Sequence, residues 1–340
     1  MSIRRRFHAK LLSVRHRIWP PKPKPLILMY HRIADDPVDH WGLAVSPTRF
    51  EEQLDVLRRT RYPLPLNSFI RDLKAGSLPE NAVAVTFDDG YVDNLVAAKP
   101  RLAAADIPAT VYLTTGFVGG DGGFWWDELA RRILLENGRQ QFDLVVRGEA
   151  VRFGIGDAPP LGENGNPESR SLRRRRETIM GIWQIVRRLD GVEREAVMVQ
   201  LRAIFSGPKY RAWPDRAMTG AEVRALVADG LVTIGAHTVT HPVLAGLDPA
   251  TCEREIRESK RGCEALIGLP VESFAYPYGA FDANAGDAVR KAGFTSACSV
   301  RHGPALAASD VFALPRIHVL NWGGDAFERA LRSASAAQTS

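Results

Sequence analysis

Short apolar runs recur along the chain, most of them coupled to a stretch with helical spacing. This rhythm limits the open folds more than any other feature. "PLILMYH" (25–31) leads to "SPTRFEEQLDVLRR" (46–59), and "AVAVTF" (82–87) to "DNLVAAKPRLAAA". "ATVYLTT" (109–115) is a third run, and "LVTIGAH" (231–237) follows the helical "TGAEVRALVADG". "ESFAYPYG" (272–279), a helical "ANAGDAVRKAG", "FTSACSV" (294–300) and "FALPRIHVL" (312–320) complete the series. Helix boundaries carry their own signals. Thr48 with Glu51, and Thr219 with Glu222, have capping-box spacing, and Gly230 stops the second helix. Over 248–268, Asp248 is the N-cap, Pro249 the first helical residue and Gly268 the stop. Strands alternating with helices give an α/β protein with a mostly parallel sheet. About seven such units favour a distorted (β/α) barrel over an open sheet. With no G-x-G-x-x-G and no P-loop, the doubly wound nucleotide-binding folds lose support.

Residues 120–215 break the rhythm. "FWWDELARRILLEN" reads as an amphipathic helix. A polar–apolar alternation, "QFDLVVRGEAVRFGI", and a Gly/Pro/Asn-rich stretch (154–168) follow, then the basic helix "SLRRRRETIMGIWQIVRRL". This is read as a partly helical insertion on one barrel loop, on the active-site side. The expected organisation is a basic arm (1–25), a barrel (26–325) interrupted by the 120–215 insertion, and a C-terminal tail (326–340).

At 340 residues, 45% of them hydrophobic, the chain can bury a sizeable core. A net charge of +6 and a pI of about 9.4 are a moderate basic bias, concentrated at Arg4–Arg6 and Arg173–Arg176. Solvated surface arginine is the plain explanation; contact with anionic headgroups or a phosphorylated carrier is the sharper one. No recognition motif accompanies the charge, so nucleic acid is not the expected partner. Cys252, Cys263 and Cys298 are too few and too scattered for a disulfide framework or a metal knot. The N-terminus lacks an unbroken apolar h-region and no stretch approaches a spanning helix. A cytoplasmic protein is therefore expected. Leu11, Leu12, Val14, Ile18 and Trp19 among the arginines would suit the first twenty-five residues to a membrane surface, although a short helix or arm without that role is the plainer reading.

The polar residues fall where the apolar runs end. His31 follows "LILMY", Asp88 and Asp89 follow "AVAVTF", and His237 ends "LVTIGA". Tyr276 and Tyr278 lie in "FAYPYG", Arg316 and His318 in "LPRIHV". In parallel neighbours most of these gather at the C-terminal face of one barrel, where barrel active sites are built. His237 and His241 are spaced i, i+4, so on a helical turn both imidazoles could grip one cation. Two imidazoles and one carboxylate leave a position open for water, the pattern of a catalytic Zn²⁺ site. A second carboxylate is then needed to accept the water's proton. A plain acidic turn at "DDG" and two solvent-facing histidines are the bland alternatives.

"TFDDG" (86–90) and "HTVTH" (237–241), in this order and separation, resemble the first two motifs of the polysaccharide deacetylase family, the NodB-homology domain or carbohydrate esterase family four. "YPYG" (276–279) is similar to its third. The likeness runs over roughly 26–320. It implies a NodB-like distorted barrel and metal-dependent removal of an N-acetyl group from an amino sugar. By the resemblance Asp88 is the catalytic base, and Asp89, His237 and His241 are the ligands of a divalent metal, most simply Zn²⁺. The Tyr278 N–H then helps bind the oxyanion. Two departures stand out. The arginine that usually opens the third motif is Tyr276 here, and the usual final leucine-any-histidine motif is missing. Arg316 is expected to replace the arginine beside Asp88, with His318 as general acid. His31 is the rival acid, and Tyr276 and His31 are expected at the substrate.

The expected substrate is an N-acetylated sugar in a poly- or oligosaccharide, or in a nucleotide- or lipid-linked intermediate of surface polysaccharide assembly. Deformylation of a formamido sugar is a close variant. A degenerate, non-catalytic glycan-binding barrel is the rival from another class. A glycosyltransferase docking on the insertion through Trp125, Trp126 and the arginine run is a further possible partnership.

Overall fold

A computed structural model of the chain describes residues 22–120, 122–136, 140–156, 170–206 and 215–336. Seven strands form the central sheet: β1 (Leu26–Tyr30), β2 (Ala82–Phe87), β3 (Ala109–Leu113), β4 (Val232–Ala236), β5 (Ser273–Ala275), β6 (Ser296–Cys298) and β7 (Ile317–His318). Their order is β6-β5-β4-β3-β2-β1-β7, and every pairing is parallel. A short strand, Tyr62–Pro63, adds to the start of β2. The sheet curls strongly. β7 pairs with β1 through Leu28–Ile317 and Met29–His318. Just upstream of β7, Leu314 bridges Cys298 at the opposite edge, with Leu314 N–H donating to Ala297 O at 2.9 Å and Ser299 N–H to Leu314 O at 2.8 Å. One segment thus seams both edges. β1, β2 and β3 are buried along their whole length, as continuous apolar runs in a doubly covered parallel sheet must be.

Helices α1 (Pro47–Thr60), α2 (Leu66–Ala75) and α3 (Lys99–Ala105) fill the early crossovers. α4 (Trp125–Leu134), α5 (Arg170–Val186) and α6 (Gly191–Ile204) belong to the insertion. α7 (Gly220–Val227), α8 (Pro249–Ile267), α9 (Ala283–Lys291) and α10 (Gly324–Ala336) complete the chain. The capping box at Thr219 and Glu222 is present on α7, and α8 starts at Asp248 and Pro249 and stops at Gly268 (φ 69°). α1 is capped differently from the expectation. Ser46, not Thr48, accepts the Arg49 N–H, because Pro47 takes the first helical position, where its missing N–H costs nothing. Residues 326–336 of the expected tail lie in α10, which packs on α1. Arg61 spans the two helices, donating to Leu331 O and Ser335 Oγ.

The insertion builds a core of its own from Phe124, Trp126, Ile133, Ile179, Val197 and Leu201. Its alternating stretch is an antiparallel hairpin, Gln141–Val146 with Glu149–Gly154. Arg147 (φ 52°) and Gly148 (φ 84°) make the two-residue turn with both angles positive, as a type I′ connection requires. Trp125 and Trp126 are each 4% exposed. They fill this core, so they offer no docking surface to a partner. Within the arginine run only Arg175 is buried; it donates to the carbonyls of Ile133 and Glu136 at the C-terminal end of α4. A buried ionic joint fastens the insertion to the barrel. Arg32 pairs with Asp36 (2.6 Å) and Asp93 (3.1 Å), and Arg131 of α4 pairs with Asp36 (2.7 Å) and Asp215 (2.8 Å). Of the basic arm, residues 1–21 lie outside the described residues, as do 157–169. Among the described residues no helix is long and apolar enough to cross a membrane.

Candidate active site

The site lies at the C-terminal ends of β1, β2, β4 and β5. β2 delivers "DDG" into an abrupt turn, where Asp89 (φ 73°) and Gly90 (φ 87°) both adopt the left-handed region. That turn sends the two adjacent carboxylates to different partners. Asp88 meets Arg316: Nη1 donates to Oδ1 and Nη2 to Oδ2, each at 2.7 Å. Arg316 is itself 1% exposed and anchored by Nε donating to Ser299 O at 2.9 Å. The guanidinium expected beside Asp88 thus arrives from the segment leading into β7.

Asp89 turns to the histidines. Its Oδ1 is 3.7 Å from His237 Nε2 and 3.4 Å from His241 Nε2, and these two nitrogens are 3.2 Å apart. "HTVTH" is not a helical turn, as the spacing had suggested. It leaves β4 as an irregular loop in which Thr238 (φ 64°) and His241 (φ 60°) are left-handed, and this backbone folds the second imidazole back over the first. Glu255 on α8 pins the loop, accepting the N–H groups of Val239 and Thr240, both at 2.8 Å, and the Thr240 hydroxyl. Of six non-glycine residues with positive φ among those described, four are Asp89, Thr238, His241 and Tyr278. Backbone strain is concentrated at this one site, as at places where geometry serves function.

The cluster fits a cation. The ligand atoms of Asp89, His237 and His241 lie within 4.8 Å of one another, and Asp89 Oδ1 is buried with no hydrogen-bond donor. His237 Nδ1 contacts Ala275 O at 2.7 Å, which makes Nδ1–H the donor and leaves the Nε2 lone pair facing the cluster. Electrostatics agree. Burial raises Asp89 well above the usual carboxylate range, and the Asp88 charge adds to the rise. Burial lowers His237 and His241, keeping both imidazoles neutral. For Asp88 burial also acts upward, but the Arg316 charge and hydrogen bonds, with His237, bring it down to about 2.

Above this floor is a cavity of about 180 Å³ lined by Met29, His31, Trp41, Leu43, Asp88, Asp89, Trp126, Trp183, His237, His241, Tyr278 and Val300. His31 lines it; His318 does not, and stands against His31 with ring centroids 5.5 Å apart. The residue that follows β1 thus lines the cavity, while the one that ends β7 stands behind it. Tyr276 differs from its expectation at the substrate. It is fully buried, stacked on Phe281 (4.1 Å) and packed against Phe274. Two residues apart on an extended chain, Phe274 and Tyr276 share a face, and that face looks into the hydrophobic core. Tyr278 does line the cavity, and its hydroxyl lies 3.0 Å from His241 Nδ1, a contact that sequence reading about its backbone N–H had missed. Also missed were the tryptophan walls. Trp41 follows β1, Trp126 is on α4 and Trp183 on α5, and nothing in a linear pattern shows that three such distant rings converge.

A curled parallel sheet with a buried Asp-His-His cluster and a bidentate Arg–Asp pair at its strand ends has the NodB-like deacetylase fold. The family model for polysaccharide deacetylases matches residues 75–139 and 209–297, a little under half of the chain. Among curated proteins, the poly-beta-1,6-N-acetyl-D-glucosamine N-deacetylase of Escherichia coli strain K12 is 33% identical over 84 residues, 24% of this chain and 12% of that protein. The match therefore spans about an eighth of that relative's length. The Streptococcus pyogenes deacetylase PplD, solved with acetate, aligns at a TM-score of 0.58 with 19% identity, covering 92% of this chain and 99% of its own. IcaB from Ammonifex degensii aligns at 0.57 with 18% identity, covering 93% and 98%.

Proposed function

We propose that this protein hydrolyses the N-acetyl group of an amino sugar in a glycan, or in a lipid-linked glycan intermediate, of surface polysaccharide biosynthesis. The observation that carries the reading is the division of labour between Asp88 and Asp89. One carboxylate is held ionised by Arg316, while its neighbour converges with two neutral imidazoles. Asp89, His237 and His241 would hold a divalent cation, which when bound supplies Lewis acidity that polarises a carbonyl oxygen and lowers the pKa of water. Arg316 fixes both oxygens of Asp88, each keeping a second lone pair for the proton of the attacking water. The amide C–N bond breaks as the new C–O bond forms, and the amine nitrogen takes a proton. His31 suits that transfer better than His318, because it lines the cavity. Burial pushes His31 down to about 3 against the opposing pull of Asp88, so a neutral ring faces an ionised carboxylate and can relay the proton. The tryptophan walls offer apolar faces to a sugar ring, and the modest cavity suits one acylamino sugar unit at a time.

The test is acid release by purified, zinc-loaded protein from N-acetylglucosamine oligomers and from matching N-formyl sugars. Acetate release that is lost in Asp88→Asn supports the reading. Formate alone moves it to deformylation, and release of neither, from a protein that binds zinc, sinks it. His31→Ala should lose far more turnover than His318→Ala; the reverse would return the acid role to His318.

A further inference from the structure

The family model stops at residue 139 and resumes at 209, so most of the insertion, Arg194 included, lies outside the matched residues, whereas Tyr91 and Trp126 lie within them. Yet the insertion touches the cation cluster directly. The Trp126 ring lies 4.5 Å from the His241 ring. Trp126 is fixed from behind: its Nε1–H donates to Tyr91 Oη at 2.8 Å, and the Tyr91 hydroxyl donates to Asp127 Oδ2 at 2.6 Å. Tyr91 is the residue after "DDG", two positions from Asp89. The same three groups therefore link the loop carrying one cluster residue to the ring of another. From α6, Arg194 Nη1 donates to the main-chain carbonyl of His241 at 3.4 Å. Arg194 is 3% exposed, forms no ion pair with a described residue, and has a buried Nη2 without a partner. A guanidinium taken out of water without a carboxylate is costly; this one lies 5.4 Å from the Trp125 ring, and among the described residues its hydrogen-bond acceptor is the backbone of a left-handed residue (φ 60°). His241 belongs to an irregular loop and cannot rely on secondary structure to hold it.

We propose that Tyr91, Trp126 and Arg194 are positioning residues that fix His241 for cation binding, which makes the insertion a working part of the metal centre. This rests on the reading that Asp89, His237 and His241 take a divalent cation. Loss of outer partners of metal ligands typically weakens metal affinity about 10–100-fold. The experiment strips the full-length chain with chelator and titrates it with Co²⁺, following ligand-field absorption, and with Zn²⁺ in competition with a chromophoric chelator. Tyr91→Phe, Trp126→Leu and Arg194→Gln should each raise Kd about 10-fold or more, at unchanged circular dichroism. Arg152→Ala, which breaks an exposed pair with Asp143 on the hairpin, should leave Kd unchanged. Tyr91→Phe removes a single oxygen atom and keeps the test decisive if Trp126→Leu does not fold. Kd within about twofold of wild type for Tyr91→Phe and Arg194→Gln, with His241→Ala strongly impaired, would overturn this proposal alone. Wild-type affinity in His241→Ala would overturn the cation site itself, and this proposal with it.

Discussion

Asp88 and Asp89 show how far two neighbouring side chains can be driven apart. Asp88 is buried but held at about 2 by a two-pronged guanidinium; Asp89 is buried without such a donor and pushed upward. Arg316→Ala should cost about 3–5 kcal/mol in urea unfolding, because it strands a buried carboxylate. The sign of its pH dependence is fixed. A depressed carboxylate stabilises above its unfolded value of about 3.9, and that stability is lost as pH falls toward the folded value. Wild type should therefore lose this contribution only in strong acid. In Arg316→Ala, Asp88 should instead protonate at a raised pH, so stability falls on going up through the weakly acidic range. His31 behaves in the opposite sense to a paired histidine. Its folded value of about 3 means the unfolded chain takes up a proton first, so stability drops as pH falls from the ordinary histidine range toward 3. His31→Gln should flatten that slope by up to about 1.4 kcal/mol per pH unit, read from urea midpoints between pH 6 and 4. The main residues of the site were legible because apolar strands end on them. Arg316 was suggested by the arginine missing from the third motif, although it lies 228 residues from Asp88 along the chain. Tyr276 was placed at the substrate but is buried, and His318 does not line the cavity, because strand alternation says which residues share a face but not which face meets the cavity.

Elements explain why the turn after β2 tolerates so little change. Gly90 has φ 87°, and a Cβ there would come within 2.6 Å of Leu113 Cδ2 on the neighbouring strand. Gly90→Ala must accept a left-handed backbone, worth about 1–2 kcal/mol, and also displace a core side chain. A loss of more than about 2 kcal/mol in chemical unfolding is expected, with a larger loss of turnover because Asp88 and Asp89 ride on the same turn. Gly76→Ala, also left-handed (φ 70°) but with nothing within 4 Å, should cost only the backbone part. The seven strands and the capped helices α7 and α8 were readable because each is set by local chemistry: a continuous apolar run, a capping box, a stop glycine. "HTVTH" was misread as a helical turn because i, i+4 spacing carries no information about the left-handed residues that actually fold it. The insertion hairpin was visible only as alternation, and its pairing depends on the two positive-φ residues at its tip.

At the scale of the whole molecule, barrel and insertion meet across a buried ionic joint and a shared aromatic cavity, and the Asp89–His237–His241 cluster lies where they touch. That arrangement has a measurable consequence. Without a cation, Asp89 is a carboxylate in a place that disfavours its charge. A folded pKa raised above the unfolded one contributes stability at low pH that is lost as pH rises past the ordinary carboxylate range. Asp89→Asn removes this cost while keeping the shape, so the metal-free variant should melt above metal-free wild type at pH 7.5. With a divalent cation the order should reverse. A ligand present at about 100 times its Kd adds about 2.7 kcal/mol to the folded state, a rise in Tm on the order of 5 °C, and the variant lacks the carboxylate that earns it. Melting curves for both proteins, in chelator and in excess Zn²⁺, should therefore cross. Parallel curves that both rise with Zn²⁺ would place the cation elsewhere. Curves that ignore Zn²⁺ would mean that the convergence of Asp89, His237 and His241 is built for something other than this metal.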